Sequence, residues 1–106
     1  MSPTSPLRLV TIVTEPVLQE KLVRDLHRFG ATGHTVTEVM GAGSRGMRAS
    51  EVPGKNIKIE TVVGDDVAQL ILRELHDHYF PYYACVAWVM PVEVVRGEKY
   101  VGGRRE

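Results

Sequence analysis

The sequence predicts an α+β fold of the ferredoxin-like type, a βαββαβ sandwich in which two helices cover one face of a four-stranded sheet. Three observations favour this fold: two helical stripes of apolar residues, four stretches rich in β-branched residues, and their order along the chain, which is β, α, β, β, α, β. Two similar halves with right-handed crossovers produce this arrangement.

The composition is that of one ordinary domain. The chain has 106 residues, of which 43% are hydrophobic and 25% are charged, so we expect one domain with a thin core. Its 13 Lys and Arg residues balance 13 Asp and Glu residues, which argues against a uniformly basic, nucleic-acid-binding surface. One cysteine, Cys85, excludes an internal disulfide and a cysteine zinc cage. Without a recognisable signal or membrane-spanning stretch, we expect a cytosolic protein.

The first βα unit occupies residues 7–30. Residues 7–13 (LRLVTIV) predict a strand, and Thr14, Glu15 and Pro16 provide a capping hydroxyl, an early carboxylate and a first-turn proline for a helix that ends at Gly30. The apolar stripe of this helix consists of Leu18, Leu22, Leu26 and Phe29.

Two strands and a long loop follow. Residues 35–40 (TVTEVM) and 57–63 (IKIETVV) predict strands, while residues 41–54 contain four glycines and a proline and predict a loop.

The second half ends with a helix and a long strand. Asp65 and Asp66 can cap the helix, and Pro81 prevents its continuation beyond Phe80. Residues 83–95 predict a fourth strand, in which Pro91 requires a bulge or an edge position. The buried face of the helix is predicted to consist of Val67, Leu70, Ile71 and Leu75.

The sheet has more apolar residues than two helices can cover. We therefore expect its second face to be buried in a closed oligomer. The residues on which this expectation rests are Val10, Ile12, Val62, Val86, Trp88 and Met90.

The loop has the composition of an anion-binding segment. Residues 41–46 spell GAGSRG, but a strand rather than a helix follows, so we reject a dinucleotide-binding Rossmann motif. Glycines can still turn backbone N–H groups towards an anion, and Arg45 and Arg48 add guanidinium groups suited to phosphate. A loop that is merely solvated by its charges remains the alternative.

Other reactive residue types have simpler interpretations. Cys85 is interpreted as a small hydrophobe, and Asp65 and Asp66 as caps rather than an acid–base pair. The four histidines lack the i,i+4 spacing of a helical metal site, so no metal site is expected. The aromatic cluster is interpreted as core or interface packing, with one ring left as a candidate to flank a nucleobase. Its members are Tyr79, Phe80, Tyr82 and Tyr83.

Two motifs resemble a known family. GHTVTEVMGAG at residues 33–43 and IKIETVVGDD at residues 57–66 resemble the second- and third-strand signatures of the PII signal-transduction proteins, and VVRGE at residues 94–98 resembles the close of their last strand. The resemblance implies a PII-like homotrimer, adenine nucleotides bound in intersubunit clefts, and a T-loop that contacts transporters or enzymes. It divides the chain into a flexible N-terminus (1–6), a domain (7–98) with a T-loop (41–55), and a tail (99–106).

A finer resemblance concerns the loop. GSRGMRAS at residues 43–50 is similar to the loop of SbtB-type PII-like proteins, carbon sensors that regulate the sodium-dependent bicarbonate transporter. In that group, arginines matching Arg45 and Arg48 hold the phosphate of AMP or cyclic AMP, and ADP and ATP compete. The implied nucleotide-binding residues are Gly41, Ala42, Gly43, Ser44, Arg45, Arg48, Val62, Tyr83, Ala84, Cys85 and Val86.

The sequence also departs from the family. A short FPYYACV segment stands at the family's B-loop position, and Glu93 and Val95 stand where the last strand usually has phosphate-binding arginines. Magnesium-ATP and 2-oxoglutarate binding in the usual manner are therefore not expected. The C-terminal cysteine pair of many SbtB-type proteins, linked to redox control and slow ATP or ADP hydrolysis, is absent.

We therefore expect a cytoplasmic binding module rather than an enzyme, with no cofactor beyond its regulatory nucleotide. Its expected partner is an integral membrane bicarbonate transporter, to which its T-loop attaches it peripherally. Two alternatives remain: a slow nucleotide phosphohydrolase with an arginine anion clamp, and a trimeric metal-handling protein of the CutA kind with ligands that converge across subunits.

Overall fold

The computed structural model describes residues 3–41 and 54–101. Its four strands are β1 (Thr4–Thr14), β2 (Thr35–Met40), β3 (Lys55–Val63) and β4 (Cys85–Val95), and its two α-helices are α1 (Gln19–Phe29) and α2 (Asp65–His78). Short 3-10 helices, Pro16–Leu18 and Gly97–Lys99, precede α1 and follow β4. The strands form one antiparallel sheet in the order β2-β3-β1-β4. The ferredoxin-like βαββαβ fold is therefore confirmed.

The two faces of the sheet differ in what covers them. The covered face packs against α1 and α2, and its central residues are buried because alternate side chains of each strand point to the helices. These residues are Val10, Ile12, Ile57, Ile59 and Val63. The helices contribute Leu22, Leu26, Ala68, Ile71 and Leu75 to the same core.

The open face carries the intervening residues. Leu9 pairs with both Val62 and Met90, and Thr11 pairs with Trp88, so these side chains share the face that neither α1 nor α2 covers. Val10 and Ile12 were predicted to lie on this face, and that prediction is wrong. Both are fully buried under the helices, because they alternate along β1 with Leu9 and Thr11.

The N-terminal strand begins earlier than the sequence predicts. Residues 4–6, predicted to belong to a flexible N-terminus, extend β1 and pair with Val95, Val94 and Glu93 of β4. Pro6 is therefore not the boundary of the strand, although β3 flanks β1 only from Arg8 onwards. A proline is tolerated there because this part of β1 has a strand on one side only.

Pro91 lies in β4, which is an edge strand, as predicted. The pairing of β1 with β4 runs without interruption from Thr4↔Val95 to Thr14↔Cys85. No bulge is needed at Pro91, because an edge strand can leave the position of a missing N–H facing away from its neighbour.

The predicted helix caps are wrong in detail. Thr14 does not cap α1; its hydroxyl donates a hydrogen bond to the carbonyl oxygen of Ala84 at 3.0 Å. Gly64 is the residue that precedes α2, and Asp65 and Asp66 lie in its first turn. There their charges favour the helix dipole, and Asp65 also forms an ion pair with Arg8 at 3.2 Å. Gly30 ends α1 with φ +123°, as its residue type predicts.

Within the described residues, no helix is long and apolar enough to cross a membrane.

Candidate nucleotide site

The neck of the long loop is closed by its two ends. The backbone N–H of Gly41 donates to the carbonyl oxygen of Gly54 at 2.9 Å, directly beyond the last β2–β3 pair, Met40↔Lys55. Gly54 has φ +80°, a backbone conformation that favours glycine. The intervening loop therefore starts and ends at one point on the sheet edge. The predicted phosphate-binding residues Ala42, Gly43, Ser44, Arg45 and Arg48 lie outside the described residues.

The segment between α2 and β4 is held by two hydrogen bonds. The Thr14 hydroxyl donates to the Ala84 carbonyl at 3.0 Å, and the Tyr83 N–H donates to the Tyr79 carbonyl at 2.9 Å. The rings of Tyr79 and Tyr83 also pack with their centroids 5.7 Å apart. The predicted base-binding residues 83–86 are therefore anchored to both β1 and α2.

Cys85, within this segment, is a poor nucleophile. Burial raises the pKa of its thiol to about 11, and the hydrogen bond with Thr14 lowers it only in part. The reactive thiolate is therefore scarce near neutral pH. This agrees with the interpretation of Cys85 as a small hydrophobe.

An ionic cluster around the buried carboxylate of Asp25 fixes Tyr79. Asp25 is 8% exposed and accepts hydrogen bonds from the Tyr79 hydroxyl at 2.5 Å, the Arg28 guanidinium at 3.1 Å and the Lys21 ammonium at 3.2 Å. Burial alone would raise the pKa of Asp25, but these three donors outweigh it and leave the pKa below its usual value. Burial and the neighbouring carboxylate raise the pKa of Tyr79. The cluster joins α1 to the end of α2 and so supports residues 83–86.

One chain does not bring together those predicted site residues that the structure describes. Gly41 follows β2 and Cys85 begins β4, which are opposite edges of the sheet, separated by three strand spacings or about 14 Å. Val62 is displaced along the strands, because it pairs with Leu9 whereas Val86 pairs with Val13. Four residues of strand correspond to about 14 Å. A single ligand that contacts all three regions would have to span about 14 Å in both directions on one chain, or bind where two copies of the chain meet.

A cavity of about 510 Å³ lies around Val62. Its volume is within the range of small-molecule sites. The residues that line it come from β1, the start of β2 and the segment before it, the second half of β3, and the end of the C-terminal 3-10 helix: Leu9, Thr32, Gly33, His34, Thr35, Glu60, Thr61, Val62, Lys99 and Tyr100. Of the predicted site residues that fall within residues 3–41 and 54–101, only Val62 lines this cavity.

The cavity wall is fixed by hydrogen bonds between distant segments. The Thr61 hydroxyl donates to the Gly33 carbonyl at 2.6 Å, and the Thr32 hydroxyl donates to the Lys99 carbonyl at 3.2 Å. Gly97 lies so close to Ser5 that an added Cβ would be 2.7 Å from its side chain. The C-terminal segment is therefore packed onto the domain and carries Lys99 and Tyr100 into the cavity wall.

Sequence reasoning missed most of this wall. Residues from 99 onwards were predicted to form a C-terminal tail, whereas Lys99 and Tyr100 line the cavity. The sequence signal for this wall was weak: Glu60 and Thr61 are adjacent polar residues in a strand, KNIKIETVV, that also contains two lysines and an asparagine. Ligand pockets usually have a few such polar groups that fix the orientation of the ligand.

Comparison with known proteins identifies the family. The family model described as nitrogen regulatory protein P-II matches residues 7–99. A putative PII-like signalling protein from Thermus thermophilus is 50% identical and superimposes with a TM-score of 0.82, covering 94% of this chain and 100% of that one.

More distant structures share the same fold. The structure of CPII from Thiomonas intermedia K12 bound to ADP and bicarbonate is 25% identical, with a TM-score of 0.79, and covers 92% of this chain and 96% of that chain. Another CPII structure, bound to ADP, AMP and bicarbonate, is 24% identical with a TM-score of 0.78, covers 92% of this chain and 95% of that one, and shows the fold alone. The match over residues 7–99 establishes that this chain belongs to the P-II family of nitrogen regulatory proteins.

Proposed function

We propose that this chain is a PII-like regulator that senses adenine nucleotides in clefts between its subunits. The observation that carries the proposal is the family match over residues 7–99. PII family proteins are trimers that bind adenine nucleotides, and the related CPII has been solved with ADP and bicarbonate. The bicarbonate in that complex favours a role for this chain in carbon rather than nitrogen sensing.

The open face supports assembly. Val86, Trp88 and Met90 are 56%, 46% and 49% exposed in one chain, although they lie within a strand. Because these side chains are only about half exposed, burial of the remaining surface against another copy contributes roughly 0.8–1.5 kcal/mol each. In a trimer assembled through the open faces, we propose that the cavity of one copy faces the loop of its neighbour.

Each part of the nucleotide then has a place of suitable chemistry. The cavity offers the carboxylate of Glu60 to the amino group of adenine or a ribose hydroxyl, and Tyr100 an aromatic surface. The phosphate would be held by the backbone after Gly41 and by Arg45 and Arg48. Each charge-assisted hydrogen bond contributes about 1.5–3 kcal/mol, and micromolar binding corresponds to about 8 kcal/mol.

We propose binding rather than turnover as the activity. The raised pKa of Cys85 disfavours a covalent thiolate mechanism at the predicted base-binding segment. Arg45 and Arg48 can hold phosphate, but a guanidinium group is neither a nucleophile nor a general base. The slow phosphohydrolase alternative predicts AMP or ADP as a product, so analysis of the nucleotide after prolonged incubation distinguishes the two functions.

We propose that the loop is the segment that contacts the target protein and so transmits the effect of nucleotide binding. Its closed neck fixes where residues 42–53 leave the sheet, and the similarity of residues 43–50 to SbtB-type loops favours a membrane bicarbonate transporter as the target. Nucleotides with phosphate chains of different length would favour different loop arrangements, because only a difference in affinity shifts such a population. The protein would then act at the cytoplasmic face of the membrane, attached through the transporter.

Calorimetry tests the nucleotide site. We expect AMP, cyclic AMP, ADP or ATP to bind the wild type and to bind Arg45→Ala/Arg48→Ala at least tenfold more weakly, since each lost contact corresponds to about 1.5 kcal/mol or more. The matched control is Arg24→Ala/Arg73→Ala, which removes two exposed helical arginines and should bind as the wild type does. Equal binding by all three proteins would overturn the phosphate site.

A transport assay tests the output. Bicarbonate uptake is measured in proteoliposomes that contain the sodium-dependent transporter. This protein and each nucleotide are added to the side that the cytoplasmic face of the transporter meets. With the wild-type protein, we expect the rate of uptake to depend on which nucleotide is present. With Arg45→Ala/Arg48→Ala, we expect the same rate as without added protein. Nucleotide binding without any effect on uptake would refute the transporter as target and leave the sensor intact.

A further inference from the structure

We propose that His27 and His34 form a binding site for a single transition-metal ion at the edge of the cavity. The Nε2 atom of His27 lies 3.1 Å from the Nδ1 atom of His34. The two ring centroids are 5.2 Å apart and the rings are nearly perpendicular, at 76°. The two histidines are seven residues apart, one at the end of a helix and one in the loop that follows, so a spacing rule for helical metal sites does not detect the pair.

The spacing of the two nitrogens fits shared coordination. With metal–nitrogen bonds of about 2.05 Å, two imidazole ligands are about 3.3 Å apart at a tetrahedral angle and about 2.9 Å apart at a right angle. The observed 3.1 Å lies between these values. Without metal the same distance permits an N–H···N hydrogen bond. A metal ion would replace the shared proton after each ring turns so that its nitrogen lone pair points at the ion instead of at the other nitrogen.

The backbone holds both histidines in place without help from their side chains. His27 lies in the last turn of α1, which is closed by hydrogen bonds from Gly30 to the His27 carbonyl and from Ala31 to the Leu26 carbonyl. His34 follows Gly33, whose carbonyl oxygen accepts the hydrogen bond from Thr61. A preorganised pair loses little conformational entropy when it binds an ion.

The positive charge next to His27 in the chain is on Arg28, and it is already paired with other groups. Arg28 donates to Asp25 at 3.1 Å and stacks over the ring of Phe29. Both histidines are exposed, so an ion can reach them and water can complete its coordination.

The ligand chemistry selects the class of metal. Imidazole suits Cu²⁺, Ni²⁺ and Zn²⁺, and by the usual order of stability Cu²⁺ binds tightest. Mg²⁺ and Ca²⁺ prefer oxygen ligands and should not compete. Among the described residues, no three His, Cys, Asp or Glu side chains are grouped for a metal ion, so the remaining positions would hold water or a small anion. Since His34 also lines the cavity, these open positions lie beside the ligand space.

Metal titration of the untagged protein tests this site. We expect one Cu²⁺ per chain, with weaker binding of Ni²⁺ and Zn²⁺, and an electron paramagnetic resonance spectrum that shows two coupled nitrogens per copper. His27→Ala and His34→Ala should each weaken Cu²⁺ binding by about tenfold or more, since loss of a ligand is at least as damaging as loss of its supporting contacts. Should an alanine variant fail to fold, His27→Gln keeps the size of the side chain and tests the same ligand.

The matched control is the double variant His76→Ala/His78→Ala, compared with His27→Ala/His34→Ala. Both lose two histidines, but His76 and His78 pair with Asp77 and Glu74 rather than with another histidine. The proposal requires copper binding to survive in the first and to be lost in the second. Equal loss in both variants, or no saturable copper binding by the wild type, would refute the site. Neither result would bear on nucleotide binding, which is measured separately.

Discussion

The two faces of the sheet differ in what buries them. One is covered by helices of the same chain, and the other leaves large apolar side chains exposed. On the covered face, Ile12 and Ile59 are paired neighbours with no exposed surface, buried by α1 and α2 of the same chain. On the open face, Trp88 and Met90 remain about half exposed. The same alternation of apolar residues produces both faces. The first therefore determines whether the chain folds, and the second determines whether it assembles.

The largest effect should come from the covered face. Ile59→Ala leaves a cavity in a fully buried core, so we expect the free energy of unfolding to fall by about 2–5 kcal/mol. Urea denaturation at one fixed protein concentration measures it. Lys58→Ala, at the neighbouring position on the open face, is the control and should change stability by less than about 0.5 kcal/mol. Similar losses for the two variants would contradict the distinction between the faces.

On the open face, we expect assembly rather than folding to change. Trp88→Ala should weaken association by about 2 kcal/mol or more per interface, because buried aromatic anchors dominate interfaces. Sedimentation should then show a trimer for the wild type and smaller species for the variant at low concentration. Tyr82→Ala removes an exposed aromatic residue outside the sheet and should leave the mass unchanged. A wild-type protein that sediments as a monomer would refute assembly through this face.

Between the two faces, the covered one was the more predictable from sequence. The stripes at Leu22, Leu26, Ile71 and Leu75 and the β-branched runs predict two helices and four strands, and β2 begins and ends at the predicted residues. Which side of β1 faces the helices was not predictable, because residues on both sides are apolar and only the pairing with β3 and β4 decides it. The caps failed because Thr14 finds the carbonyl of Ala84, which is 70 residues away and not evident from local sequence.

The candidate site was less predictable than the fold. The loop glycines and Val62 were predicted from loop composition and family motifs, which are local signals, and of these residues Val62 lines the cavity. The contribution of Lys99 and Tyr100 depends on the packing of Gly97 against Ser5, and the meeting of His27 with His34 depends on how the chain leaves α1. Such contacts arise from tertiary structure, and no spacing rule reveals them.

The ionic cluster between the helices should have a smaller effect than the core. Tyr79→Phe removes the 2.5 Å hydrogen bond to Asp25 but leaves Lys21 and Arg28 in place. We expect a loss of about 1.5–3 kcal/mol, the usual contribution of a hydrogen bond to a charged group. Tyr82→Phe, on an exposed ring, is the control for hydroxyl removal. A loss confined to Tyr79→Phe supports the cluster, whereas equal stability of both variants would contradict it.

The same cluster predicts a dependence on acid. The pKa of Asp25 is lower in the folded protein than its usual value of 3.8. The contribution of Asp25 to the free energy of unfolding is therefore fully present above pH 3.8. It is lost as the pH falls through the lower pKa of the folded state. Urea denaturation over acidic pH should show a steeper loss of stability for the wild type than for Asp25→Asn. Parallel curves would show that Asp25 is not selectively stabilised as a carboxylate.

The smallest effect concerns Cys85. Because burial raises the pKa of its thiol to about 11, alkylation by iodoacetamide near neutral pH should be much slower in the folded protein than in urea, where the same thiol is exposed. Equal rates in the two states would show an accessible thiolate and would reopen a chemical role for this residue.

Complementation between two inactive variants tests the central claim that each nucleotide site is shared by two copies. Gly33→Phe places a ring where a side chain has open space beside the cavity, with Gly33→Ala as its control, and Arg45→Ala/Arg48→Ala removes the loop cations. Co-refolded in equal amounts, the two variants should regain nucleotide binding in about one quarter of the clefts of a trimer, where an intact cavity meets an intact loop. Mixed trimers that remain unable to bind would show that the cavity and the loop of a single chain form the site.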